Sequence, residues 1–292
     1  MPPSETRRSR RTRRPWTPRP RRGDRTSHAS RRCARTTSNR KREDCGMCTL
    51  IGLWRSVPGY DLIVGMNRDE ASSRPSDPPF VWDGTPVVVA PRDRQAGGTW
   101  IGASGTGLVA ALSNRRGRTS KTARSRGQLV LDAVRQSGVA GADVFLQREV
   151  HEHEYNLWNL FVASRKDLRF FRFDGELSMT RGHEGLNVLT NEGGNVTTDP
   201  KVQLVQGILA KVPADRDEAM KALQGALRTH ASGSGQVGLC VHGSGYGTVS
   251  STILALSNAD PGESVLLYAD GSPCATPYRD YHEVVRRLPW PV

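Results

Sequence analysis

Short apolar runs set off by turn residues recur along the chain from residue 48 onward, and their lengths predict more strands than helices. Residues 48–54 make one such run, 56–61 carry turn chemistry around Pro58-Gly59, and 62–66 return as a second strand. Four polar residues, Asn67-Arg68-Asp69-Glu70, follow where that strand is expected to end, and Pro75, Pro78 and Pro79 then mark a loop. A strand is expected at 86–90, and a hairpin joins 99–102 to 108–112 through the Ser104–Gly107 turn. Helices are predicted over 128–134, with Ser125 as N-cap, and over 143–151. Strands resume at 159–163, 168–173, 177–180 and 187–190. Two helices follow at 200–211 and 215–230, and the chain closes with strands at 238–241, 249–256 and 265–268. Strands and helices come in runs rather than in strict alternation. That argues for an α+β fold of mostly antiparallel sheets with helices outside. No apolar run approaches the roughly 18 residues of a membrane-spanning helix.

Charge changes this picture only at one end. The 292 residues carry a formal charge of +13. Residues 1–46 hold 16 Lys and Arg against 4 Asp and Glu, whereas 47–292 hold 26 against 25. The basicity therefore belongs to a tail, and no specific nucleic-acid partner is expected for the body. The tail is Arg, Pro, Ser and Thr with almost nothing apolar, so it is expected to be disordered, ahead of a single domain over 47–292. A nucleic-acid arm, a transit peptide, a propeptide, or sequence upstream of a natural start at Met47 would each account for it. The excess of Arg over Lys, 36 to 6, points to GC-rich coding sequence and favours the start at Met47. Five cysteines without a secretory apolar segment imply a reducing, cytoplasmic compartment.

Candidate chemistry begins at Cys48. If Met47 is the initiator and is removed, Cys48 carries a thiol and a free α-amine, a nucleophile and its base in one residue. The alternative is a small buried residue opening a strand. Asn67–Glu70 read either as a site at a strand tip or as a polar turn. Asn114 and Asn191 end two apolar strands; a side-chain amide there can donate to a developing oxyanion, or simply start a turn. His151 and His153 are two apart on a predicted helix and do not share a face. Cys240 and His242 share one side of a predicted strand, and with no further ligands expected nearby, core packing is the expected role. Neither a metal nor a cofactor is expected.

The set Met47-Cys48-Thr49, Asn67-Arg68-Asp69-Glu70, Arg74-Pro75, Gly97-Gly98-Thr99-Trp100 and Tyr246-Gly247-Thr248 resembles the NRDE family, also called the transport and Golgi organisation protein 2 family. The resemblance implies a four-layer αββα sandwich of the N-terminal-nucleophile hydrolase type. It is similar in pattern to choloylglycine hydrolases and penicillin V acylases, which begin Met-Cys-Thr. By this resemblance Cys48, Asp69, Asn114, Asn191 and Arg68 are the catalytic set. Arg68 would order Asp69 or bind an anionic substrate, and Asn67, Glu70 and Trp100 would line the substrate site. The implied activity is hydrolysis of an amide carbon–nitrogen bond. The rival within the same family is a carrier of haem or of an acyl ligand. One departure stands out: Val249 occupies the place, after Tyr-Gly-Thr, where many relatives carry Arg.

Overall fold

A computed structural model describes residues 48–117, 119–211, 213–233 and 236–288. The tail over 1–46, Met47, and the expectation that the tail is disordered lie outside the described residues. In chain order the elements are β1 (Thr49–Val57), β2 (Tyr60–Ala71), β3 (Ser76–Trp82), β4 (Val88–Asp93), β5 (Ile101–Ser104), β6 (Val109–Asn114), α1 (Arg126–Val134) and α2 (Val139–Glu152). They continue with β7 (Trp158–Ala163), β8 (Leu168–Phe173), β9 (Leu177–Arg181), β10 (Gly185–Leu189), α3 (Pro200–Ile208), α4 (Arg216–Leu227), β11 (Tyr246–Ser257), β12 (Val265–Ala269), β13 (Arg279–Asp280) and α5 (His282–Val285).

The strands form two antiparallel sheets among the described residues. One runs β10-β1-β2-β11-β12-β13 and the other β3-β4-β5-β6-β7-β8-β9. Strand alternation sorts the apolar side chains into three layers. Leu50, Leu62, Val64 and Met66 of the first sheet meet Val109, Ala111 and Phe161 of the second in the space between the sheets. Ile51, Ile63 and Ile253 turn outward against Val202 and Val205 of α3 and Leu223 and Leu227 of α4. Ala110, Leu160 and Val162 turn outward against Leu129, Leu146 and their neighbours on α1 and α2. The order helix, sheet, sheet, helix is the four-layer αββα sandwich. At Gly65 an added Cβ would meet Leu227 Cδ1 at 2.9 Å, so glycine there lets α4 lie close on β2.

Three local expectations are corrected. The strand of 62–66 does not end before Asn67: β2 runs on to Ala71, because β11 pairs with it along its length, Thr248 against Asp69 and Gly247 against Glu70. The partner strand lies some 180 residues away in sequence, so local pattern could not show it. Pro75 does lie in the connection from β2, but from Ser76 the proline segment is not a loop but β3. It sits at a sheet edge, and its register with β4 shifts between Asp77 and Phe80, so Pro78 and Pro79 fall where no ladder donor is needed. Residues 238–241 are not a strand. The N–H groups of Leu239 and Cys240 both donate to the Thr229 carbonyl, at 3.0 and 2.9 Å, folding this segment back on the end of α4.

Candidate functional site

Cys48 stands just before β1, at the margin of the first sheet, and is buried. Its Sγ lies 3.9 Å from the Asp69 backbone oxygen, and its own carbonyl accepts from Ser113 Oγ at 3.4 Å, which ties the start of β1 to β6 of the facing sheet. Burial, then the Asp69 carboxylate, push the thiol up to about 12 against the opposing backbone contact. With the chain continuing through Met47, this sulfur is a neutral thiol at neutral pH.

The polar tetrapeptide is divided by strand alternation. Arg68 continues the inward series of Leu62, Val64 and Met66 and enters the space between the sheets. Its guanidinium lies 4.3 Å from the centre of the Trp100 ring, and its Nη2 is 3.5 Å from Asp93 Oδ2. Asp93 is the hub here. Oδ2 also accepts from Arg74 Nε at 2.8 Å and pairs with Arg74 Nη2 at 2.7 Å, while Oδ1 accepts the N–H groups of Gln95 and Ala96. Burial works to raise the Asp93 carboxyl, but the Arg74 hydrogen bond and charge outweigh it and leave it below its ordinary value. Glu70 Oε2 pairs with the same Arg74 at 3.5 Å. Arg68 is thus paired with Asp93 and does not order Asp69, which corrects the first of the two roles expected of it.

Asn67 and Asp69 face the other way. Asn67 is fully buried, and its Nδ2 donates to the Leu227 and Leu239 carbonyls at 2.9 and 2.8 Å. It joins the end of α4 to the following segment and does not line the cavity beside Cys48, so its expected place in the substrate site is corrected. Asp69 Oδ1 accepts from Thr248 Oγ1 at 2.5 Å, whereas its buried Oδ2 has no hydrogen-bond partner among the described residues. Burial raises the Asp69 carboxyl to about 6; the nearby Lys201 charge and the Thr248 hydroxyl pull the other way. Lys201 is itself buried at the start of α3, with its Nζ donating to Thr49 Oγ1 at 3.1 Å. Desolvation lowers its pKa, and Asp69, Cys48 and Asp199 oppose that shift.

Asn114 ends β6, and the Asn191 Nδ2 donates to the Asn114 backbone carbonyl. Asn159 of β7 anchors the second of these, its Nδ2 donating to the Thr190 and Asn191 carbonyls at 3.0 and 2.9 Å. The structure brings Cys48, Arg68, Asp69, Glu70, Trp100 and Asn114 to one cavity of about 420 Å³. Asn191 touches Asn114 but lines a neighbouring cleft of about 610 Å³ with Arg116, Arg172 and Lys201.

Sequence reasoning missed Asp93, Lys201, Asn159 and the role of Thr248. One signal was readable. Lys201 is the second residue of a helix that opens on Asp199-Pro200, where the helix dipole disfavours a cation, so its charge had to answer to something else. The Gly97-Gly98-Thr99-Trp100 motif also has a physical reason. Gly97 has φ +72°, and an added Cβ on Gly98 would fall 2.2 Å from the Gly127 backbone, so both glycines are needed to set Trp100 against the start of α1.

The two stacked sheets with outer helices, and the position of Cys48 at their rim, define a fold of the N-terminal-nucleophile hydrolase type. Solved structures agree. An N-acylethanolamine-hydrolyzing acid amidase ortholog from Caenorhabditis elegans is similar at a TM-score of 0.53 and 15% identity, over 82% of this chain and 98% of that one. A penicillin V acylase from Agrobacterium tumefaciens is similar at 0.50 and 13% identity, over 76% and 83%. The family model for transport and Golgi organisation 2 matches residues 47–263, and the chain belongs to that family. A human transport and Golgi organization protein 2 homolog is 28% identical over 70% of this chain and 85% of its own length. The bovine homolog is 34% identical, over 37% of this chain and 40% of its own length. No helix among the described residues is long and apolar enough to cross a membrane.

Proposed function

We propose that the chain, once trimmed to Cys48, is an N-terminal cysteine amidohydrolase acting on the carbon–nitrogen bond of a small acyl amide. The observation that carries this reading is the contact of the buried Cys48 thiol with the Asp69 backbone oxygen, on a residue whose side-chain Oδ2 is itself buried and lacks a hydrogen-bond partner among the described residues. A free amine on Cys48 is the kind of donor that such an oxygen needs. In this reading the amine takes the thiol proton and Sγ attacks the amide carbon. Asn114 and Asn191 hold the resulting oxyanion. Collapse breaks the carbon–nitrogen bond, the leaving amine takes the proton back from the Cys48 ammonium, and a thioester remains. Water, deprotonated by the same amine, then releases the acid. Arg68 and Trp100 would hold the acyl portion, and Glu70 would border it. A cytoplasmic, reducing setting keeps Cys48 a thiol.

The neutral, buried thiol of the untrimmed chain favours a second reading, in which the same cavity binds haem or an acyl ligand without turnover. Intact mass of the native protein and assays on N-acyl amides separate the two. A chain starting at Cys48, with turnover abolished in Cys48→Ser and binding retained, supports the hydrolase. Retention of residues 1–47, with stoichiometric haem or acyl-ligand binding that Cys48→Ser leaves unchanged and no turnover, establishes the carrier instead.

A further inference from the structure

Away from the Cys48 cavity, three separate segments bring two imidazoles and two thiols together. His230 lies just beyond α4, Cys240 and His242 lie in the stretch leading to β11, and Cys274 follows β12. One ligand atom from each of the four lies within 4.8 Å of all the others. Cys240 Sγ is 3.6 Å from Cys274 Sγ and 3.7 Å from His242 Nε2, and His242 Nε2 is 3.2 Å from Cys274 Sγ. The His230 and His242 rings are 5.0 Å apart between centres, and His230 Nδ1 lies 3.2 Å from the Cys240 carbonyl oxygen. These contacts correct the expectation that Cys240 and His242 have no further ligands nearby: β-sheet topology supplies Cys274 from a residue 32 positions on.

We propose that His230, Cys240, His242 and Cys274 form a structural zinc site. Zinc bonds of about 2.0–2.1 Å to nitrogen and 2.3 Å to sulfur, placed tetrahedrally, separate the ligand atoms by roughly 3.3–3.8 Å. The separations of 3.6, 3.7 and 3.2 Å among Cys240, His242 and Cys274 fall near that edge length already. A sulfur–sulfur distance of 3.6 Å is far from the roughly 2.05 Å of a disulfide. Four protein ligands leave no open position, which makes the site a staple rather than a second catalytic centre. The contact between His230 and the Cys240 carbonyl is of the kind that orients ligating imidazoles. The other grouping of acids and imidazole, Glu149, Glu152 and His153, is a weaker candidate, since Glu149 is engaged by Arg124 and Tyr155.

The staple has a target. Val241, between two of the ligands, donates its N–H to Thr248 Oγ1 at 2.9 Å and accepts from the Thr248 N–H at 2.8 Å. Ser272, two residues before Cys274, donates to the Thr248 carbonyl at 2.7 Å. Thr248 is the residue that holds Asp69. A metal joining the Cys240–His242 segment to the Cys274 loop would clamp Thr248 from both sides.

The test is metal stoichiometry on the full chain, purified reduced and without chelator, followed by replacement of zinc with Co²⁺. Cys45 and Cys48 also stand in a C-x-x-C spacing, with two residues between them, so the variants must separate the two places. The expected result is one zinc per chain and a cobalt form with tetrahedral d–d bands and a sulfur-to-cobalt charge-transfer band. Cys274→Ser and His242→Asn should each weaken cobalt binding by at least roughly 100-fold, while Cys48→Ala leaves it unchanged. Folding of the variants is checked by circular dichroism. The proposal is overturned if the reduced chain takes up neither metal, if cobalt binding survives in both Cys274→Ser and His242→Asn, or if it is lost in Cys48→Ala. Hydrolase activity enters none of these readouts, so the site stands or falls separately from the proposed function.

Discussion

Cys48 and Cys240 are both buried, and both flank the same six-stranded sheet, yet their surroundings have opposite character. Cys48 faces a carboxylate, a buried lysine and amide groups, and its thiol is pushed up to about 12. Cys240 faces a second thiol and two imidazoles. The first environment suits a sulfur that must be activated by a group delivered to it, and the α-amine of a trimmed chain is such a group. The second suits a sulfur that surrenders its proton to a metal. The residue type alone distinguishes nothing; the charged and ligating groups around the sulfur do.

Alkylation breaks or sharpens this contrast most directly. In the untrimmed chain, Cys48 should react with iodoacetamide on the order of 10³-fold more slowly than an exposed thiol. A pKa near 12 against an ordinary one near 8.5 lowers the thiolate fraction by about that factor. Cys240 and Cys274 should become reactive only when a chelator removes metal. Peptide mass mapping over a time course measures all three. Rapid labelling of Cys48 in a chain that still carries Met47 would show that the thiol is activated without the amine.

Asn191 comes next. Asn191→Ala should lower kcat/KM for an amide substrate on the order of 100-fold, the usual cost of one oxyanion donor. A loss of only a few-fold would assign Asn191 to the wall of the neighbouring cleft, where its side chain is engaged with the Asn114 carbonyl.

Most of the elements were legible in the sequence because apolar runs and turn residues are local signals, whereas the four-layer arrangement came from the family resemblance. The strands at 48–54 and 62–66 were readable from their apolar runs and the Pro-Gly turn between them, and the helix after Ser125 from its capping residue. The site was legible only where a family motif named it. Pairing between distant segments left no local trace. Thr248 meets Asp69 across 179 residues, Lys201 reaches Thr49 across 152, and Cys274 reaches Cys240 across 34. Asn67 shows the reverse failure. It sits inside the motif, but strand alternation sends its amide to the end of α4 rather than to the cavity.

Asp69 links the two regions energetically, and its buried charge should cost stability. Its carboxyl titrates near 6 in the folded chain against about 3.9 unfolded, so the folded state binds the extra proton between these values. Stability contributed by the protonated form is present at low pH and is lost as pH rises through about 4 to 6. Asp69→Asn removes that dependence. At pH 7 it should be more stable than the parent chain by up to about 3 kcal/mol, with the advantage vanishing toward pH 4. The attraction of Lys201 is already contained in the value near 6, so this gain is net of losing it. Urea unfolding across this range measures it, and in the hydrolase reading the same variant has little or no turnover. An Asp69→Asn chain less stable than its parent at pH 7 would mean that the Lys201 pairing outweighs burial.

Thr248 carries the smallest effect and is the most specific probe of the link. Its hydroxyl donates to Asp69 Oδ1 and accepts the Val241 N–H, so one oxygen joins the Cys48 cavity to the Cys240 cluster. Thr248→Val keeps the shape and leaves a buried acceptor and a buried donor without partners, which should cost about 2 kcal/mol in unfolding free energy. It should also raise the Asp69 carboxyl above 6, because the hydroxyl is one of the groups holding it down. The stability loss should therefore be larger at pH 7 than at pH 4, where the carboxyl is protonated in either chain. Thr248→Ser, which retains the oxygen, should recover most of the difference. A loss that is the same at both pH values, or that Ser fails to recover, would trace the effect to packing of the methyl group and separate the two cysteine regions.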